Sequence, residues 1–195
     1  ALFDGYRLSA RYAREGGLDG VEVHGMSHGY LLNQFLSPGT NFRQDRYGGS
    51  LENRMRIVHE ILDASRSEIG SDMIMGMRLN SDDGHEGGLG PDEWADIARE
   101  FEAAGLIDYI SFSHGTYINR MLIYPTAPET HGFQLKATGK IKNGLTVPVV
   151  GVGRRHPKLG VARLTVHLVR RAVRIWGRAH HQRHALRLAG RSPDV

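Results

Sequence analysis

A parallel α/β fold is what this sequence predicts, and three observations carry it. Short apolar segments recur near residues 21, 73, 109 and 147, and amphipathic helical patterns fill the intervals between them. The repeat of roughly 35 to 50 residues suits a βαβ unit and therefore a parallel sheet. At 195 residues, 40% of them hydrophobic, the chain is long enough to bury a core.

The elements follow in order. Phe3, Tyr6, Ala10 and Ala13 recur at helical spacing and stop at Gly16-Gly17, so a helix feeds a short strand at residues 21–23. Behind that strand come His24, His28 and Tyr30, then a loop and a glycine turn. Ser50 can cap a second helix whose buried stripe is Leu51, Met55, Val58 and Leu62. After Gly70, residues 73–79 are apolar enough for a strand covered on both faces. A third helix has Pro91 in its first turn, Asp92 and Glu93 against the helix dipole, the stripe Trp94, Ile97, Ala98 and Phe101, and Gly105 as its stop. Residues 109–113 form the next strand, and after a less regular stretch residues 147–152 form the last.

Composition narrows the function classes. The chain has no cysteine, which excludes disulfides, thiolate metal sites and an iron–sulfur cluster within it. No apolar run approaches the roughly 18 residues of a membrane helix, and the N-terminus lacks a signal-peptide layout, so a cytoplasmic location is expected. The formal charge of +4 joins two unlike parts. From Arg154 onward there are 11 basic residues against one acid, whereas the rest carries 14 against 20. Residues 155–195 therefore read as a separate basic tail, either a basic helix or the product of a shifted reading frame. Charge and an apolar stripe are not specific for nucleic-acid binding, which is not the favoured partner.

In parallel α/β proteins chemistry is done at the carboxyl ends of strands. Tyr30 is there a candidate acid, since a phenol stays protonated at neutral pH yet can yield its proton to a strong base. Its bland alternative is a half-buried core tyrosine. Arg78 closes the strand GMRLN, with an ion pair to Asp82 or Asp83 as the structural alternative. Gly151-Val152-Gly153-Arg154 closes the last strand. It is no dinucleotide fingerprint, because His156 stands where the third glycine would fall. A metal reading of His24 and His28 is weak, since they are not on a helix and no HExxH glutamate is present.

The segment DGVEVHGMSHGYLLNQFLSPGTNFRQDRYGGSLENR, residues 19–54, closely resembles one in the flavin-dependent old yellow enzyme family, which includes 2,4-dienoyl-CoA reductases and trimethylamine dehydrogenases. The resemblance implies a partial (β/α)8 TIM barrel, from the third helix through strands four to seven, hence an internal fragment expected to bind FMN weakly and to associate through exposed strand edges. It implies FMN as cofactor, NAD(P)H as reductant and an activated alkene of an enone or enoyl compound as substrate, with amine oxidation as the alternative. Any iron–sulfur cluster would lie outside this chain. By the same resemblance Tyr30 protonates the alkene carbon, while His28 and His24 donate hydrogen bonds to the substrate carbonyl. Arg78 lies beside the flavin N1 and C2 carbonyl, and Gly153 and Arg154 hold its phosphate. Tyr117 falls roughly where dienoyl-CoA reductases place a second acidic group, a histidine, and His114 is a candidate substitute. One departure stands out: the family separates the His pair by two residues, here by three. Either the turn bulges by one residue or His24 is not the partner.

Overall fold

The structure, a computed structural model, describes residues 2–124 and 132–153. Arg154 and the basic tail 155–195 lie outside the described residues. In chain order the elements are α1 (Leu2–Glu15), β1 (Gly20–Met26), α2 (Leu31–Leu36), α3 (Leu51–Ile69), β2 (Ile74–Asn80), α4 (Pro91–Ala103) and β3 (Tyr109–Ser113). A 3-10 turn (Tyr117–Asn119), α5 (Arg120–Ile123), α6 (Phe133–Lys142) and β4 (Val149–Gly151) follow. The strands are all parallel, in the order β1-β2-β3-β4. Because that order never reverses, right-handed crossovers place successive helices on one side of the sheet. This is the winding of a barrel arc, without the switch point of a doubly wound sheet.

The register sorts side chains into two faces. Val23, Met77, Ile110 and Val149 stand side by side, as do Met26, Leu79 and Phe112. All belong to one core with Val58, Ile61 and Leu62 of α3 and Trp94, Ile97 and Phe101 of α4. Burying such side chains contributes about 1.5–3 kcal/mol each.

The other face is polar. Glu22 Oε2 accepts hydrogen bonds from the Tyr109 hydroxyl at 3.0 Å and Ser111 Oγ at 2.8 Å. Glu22 Oε1 lies 2.9 Å from the Arg78 guanidinium, whose Nε donates to Ser111 Oγ at 3.2 Å. One carboxylate thus links β1, β2 and β3. Gly76 is required beneath this network, since a Cβ there would sit 2.1 Å from Tyr109 Cζ. The expectation that residues 73–79 form a strand covered on both faces therefore needs qualifying: the helix side is apolar, and the opposite side is a polar lattice.

Local signals explain most boundaries. Ser50 Oγ accepts from Asn53 N–H at 3.3 Å, and α3 ends at Gly70 with φ +68°. Glu93 reaches back to accept the Gly90 N–H at 2.6 Å at the start of α4. Four elements differ from expectation. The segment after Tyr30, read as loop, is α2, six residues with Leu32, Asn33 and Leu36 buried, too short for a periodic signal. The irregular stretch before the last strand contains α6, whose buried residues include Gln134 and Thr138, so hydrophobic periodicity does not reveal it. β1 runs through His24 to Met26, and β4 is shorter than residues 147–152. Among the described residues no helix is long and apolar enough to cross a membrane.

The loop after β2 is built on buried Asp83. Its carboxylate accepts from Asn80 Nδ2 at 2.9 Å, Leu89 N–H at 2.9 Å and Trp94 Nε1–H at 3.3 Å. Asp83→Ala strands these donors, each costing about 1–3 kcal/mol when buried without a partner. Urea unfolding is expected to show a loss of at least about 2 kcal/mol; an unchanged midpoint contradicts this role.

Candidate active site

At the carboxyl edge of β1 the extra residue of the histidine spacing is accounted for. Val23 stands opposite Met77 and Met26 opposite Leu79, so His24 and Gly25 together face Arg78. This is a β-bulge, absorbed at Gly25 with φ +121°, a conformation open to glycine. The bulge lies within the strand, before the turn where the sequence reading placed it.

Beyond the strand His28 adopts φ +57°, the one positive value at a non-glycine among the described residues. Such a backbone is held only where its surroundings over-determine it. Here Nδ1 lies 3.1 Å from Gly115 O, and the Tyr117 N–H donates to His28 O at 3.2 Å. These bonds fasten the loop after β1 to the loop after β3. Tyr30 follows as the N-cap of α2, its N–H donating to Ser27 O at 3.0 Å.

The result is a cluster around Tyr30. Its ring centroid is 5.3 Å from that of His24 and 6.0 Å from that of His28, both edge-on. Its hydroxyl lies 3.1 Å from that of Tyr117. A cavity of about 200 Å³ adjoins, lined by His28, Asn33, Ser37, His85, Thr116 and Tyr117 among others. Arg78 projects from β2 on the polar face, on the row that His24 shares. Its ionic partner is Glu22 and not Asp82 or Asp83, because Asp83 is engaged inside its own loop. Glu22 and Tyr117 are the residues that motif reading underweighted. Alternation was the available signal: Glu22 and His24, like Tyr109 and Ser111, occur two apart in strands, which puts polar groups on one face.

Gly153 follows β4, and a Cβ there would meet Gln134 Oε1 at 2.9 Å, so its smallness serves packing against α6. Buried His114 places Nδ1 3.0 Å from Ser81 Oγ, which itself donates to Ser113 O at 2.8 Å. Its ring packs on Phe133, 5.3 Å between centroids. Burial pushes His24, His28 and His114 below the ordinary imidazole value, with the Arg78 cation adding to the effect at His24 and His28. Among the described residues no three His, Asp or Glu side chains converge as a metal site.

A parallel arc with a tyrosine, imidazoles and an arginine at its carboxyl edge is the arrangement of a sector of a β/α barrel. The chain belongs to the NADH:flavin oxidoreductase / NADH oxidase family, whose model matches residues 2–167. It is 38% identical over 157 residues to the N,N-dimethylglycine/sarcosine dehydrogenase of Chromohalobacter salexigens, covering 76% of this chain and 22% of that protein. With the NADPH dehydrogenase of Clostridium acetobutylicum it shares 39% over 153 residues, 76% of this chain and 42% of the relative. Among solved structures, a 2-naphthoyl-CoA reductase in complex with 2-naphthoyl-CoA aligns with a TM-score of 0.75 at 35% identity, covering 86% of this chain and 25% of that one. An old yellow enzyme homologue from Zymomonas mobilis has the same fold, with a TM-score of 0.64 at 24% identity over 86% of this chain and 45% of that one. The chain spans less than half the length of these relatives, and its sheet is a sector of their barrel.

The depressed histidines have a consequence for stability. Folded pKa values below the free value of 6.5 mean that the unfolded chain binds more protons at mildly acidic pH. Their contribution is complete above about pH 6.5 and is lost as pH falls through the depressed folded values. The urea midpoint should therefore be lower at about pH 5.5 than at about pH 7.5; a midpoint that holds or rises contradicts the burial account.

Proposed function

We propose that this chain is the substrate-activating sector of an FMN-dependent reductase that uses NADH or NADPH to reduce the activated alkene of a small enone or enoyl compound. The observation that carries the reading is the Tyr30 phenol flanked by His24 and His28 on the face that holds Arg78. The donor set fits the pyrimidine end of FMN. Arg78 spends Nε on Ser111 and one Nη on Glu22, which leaves Nη1–H donors for a carbonyl edge. Gly153 lies at a strand end where phosphate sites recur in barrels. When bound, FMN supplies the hydride that adds to the β-carbon of the substrate.

The chain's own residues handle the charge and the proton. As the β-carbon gains its bond, the alkene electrons move to the carbonyl oxygen, and donors there stabilise the developing anion. Tyr30 then protonates the α-carbon, its O–H bond breaking as the C–H bond forms. The two histidines are not equivalent. Gly115 O can only accept, so Nδ1 of His28 carries a proton and Nε2 of the neutral ring is bare. We assign His24 as the neutral donor, and His28 donates through Nε2 once it is doubly protonated.

Amine oxidation on the same platform is the second reading, favoured by the likeness to N,N-dimethylglycine/sarcosine dehydrogenase. Against it, the groups around Tyr30 are imidazoles and a phenol, and Glu22 is already paired with Arg78. A cytoplasmic location accords with a cysteine-free chain and a nicotinamide reductant.

In the FMN-loaded protein, Tyr30→Phe is expected to slow alkene reduction by about 10²–10⁴ and to leave flavin reduction by the nicotinamide unchanged. Equal loss in the two half-reactions would make the tyrosine structural. Affinity for an enone should rise as pH falls through the depressed His28 value, and His28→Asn, with a permanent N–H donor, should abolish that dependence. A pH-independent wild type would refute the tautomer assignment.

A further inference from the structure

A phenol that gives up its proton must regain it before the next turnover. Tyr30 is 38% exposed, and its hydroxyl lies 3.1 Å from that of Tyr117, itself 44% exposed. The rings are tilted at 51° with centroids 5.8 Å apart. This approach is imposed by the backbone. His28 Nδ1–H donates to Gly115 O, the Tyr117 N–H donates to His28 O, and His28 bridges Thr116, so the loop after β3 is set in register with the residues leading to Tyr30. A hydrogen bond between two solvent-reachable phenols adds little stability, since water would serve each equally well. Stability therefore does not account for the pairing.

We propose that Tyr117 is the second member of a phenol relay, donating its proton to the Tyr30 phenolate and drawing a replacement from water. The proposal rests on the reading of Tyr30 as the proton donor. In sequence, the Tyr30 O–H bond breaks as the α-C–H bond forms with the electron pair of the enolate. The Tyr117 O–H proton then passes across the 3.1 Å contact to Tyr30, and the Tyr117 phenolate takes a proton from water. The net donor is solvent, and no electrons change hands in these steps.

The groups facing the pair are His24 and His28 from the β1 side and Arg120 and Tyr124 from α5 and its end. The bond to Tyr30 is the main influence holding Tyr117 above the ordinary phenol range, opposed by Tyr124 and Arg120. A hydrogen-bonded pair releases its first proton to solvent while the remaining proton is shared across the bond, and it releases its second against the charge already present.

Tyrosine labelled with ¹³C at the ζ carbon reads this directly on the full chain, without cofactor. Signals are assigned with Tyr30→Phe and Tyr117→Phe and followed from about pH 8 to 12. The 3.1 Å contact predicts that Tyr117 titrates above the ordinary phenol range in the wild type and falls toward it in Tyr30→Phe, while Tyr124→Phe leaves the Tyr30–Tyr117 coupling in place. A Tyr117 titration indifferent to Tyr30→Phe overturns the pair. In the FMN-loaded protein, Tyr117→Phe should slow repeated turnover of the alkene about tenfold or more, with flavin reduction and the first, single-turnover alkene reduction unchanged. Slow Tyr30→Phe alongside a wild-type rate of repeated turnover in Tyr117→Phe overturns the relay but keeps Tyr30 as donor. A wild-type rate in Tyr30→Phe overturns both.

Discussion

Three neighbouring strands meet on the carboxylate of Glu22. It takes a hydroxyl from Tyr109, another from Ser111 and the guanidinium of Arg78, and so ties β1 to β2 and β3 on the face that the helices do not cover. The opposite face is held by ordinary apolar packing of Met75, Met77, Leu79, Ile110 and Phe112. Packing of that kind is non-directional and tolerates small slips, whereas a carboxylate with three fixed donors does not. Gly76 shows how tight the lattice is, because Tyr109 lies where any side chain at that position would be.

The site inherits its geometry from this lattice. Arg78 is fixed in the row beside the bulge, and the bulge places His24 and Gly25 opposite it. Past the bulge the chain reaches His28, whose left-handed backbone is stabilised by two hydrogen bonds to the loop after β3. Those bonds decide two chemical properties at once. They bring Tyr117 to Tyr30, and they fix the tautomer of His28 by giving Nδ1 an acceptor. The tautomer divides the labour between the two histidines, which spacing alone treats as alike.

Much of this was legible in the sequence where a single physical signal dominated. The limits of β3 coincide with the apolar run, and α3 and α4 start at their capping serine and proline. Elements whose burial is polar or brief were not legible. α6 buries Gln134 and Thr138, and α2 offers less than two turns. Within the site, Tyr30, His24 and His28 could be nominated from their motif, and their clustering is a fact of the fold. The partner of Arg78 was missed because sequence proximity pointed to Asp82 and Asp83, while the real partner lies one strand away, where only the register of β1 against β2 brings it. Tyr117 was visible as a position but not as a neighbour of Tyr30, since a contact across 87 residues depends on two loops meeting.

The claim on which the rest depends is that Glu22 and Arg78 act as one unit. A double-mutant cycle with Glu22→Gln, Arg78→Met and the double variant, read by urea unfolding of the full chain at neutral pH, measures that coupling directly. The pair is expected to show a favourable interaction energy of about 1–2 kcal/mol, with each single variant losing more than its share of the double. Additive losses with no coupling would mean that the strands are registered by apolar packing alone and that Arg78 stands where it does for another reason.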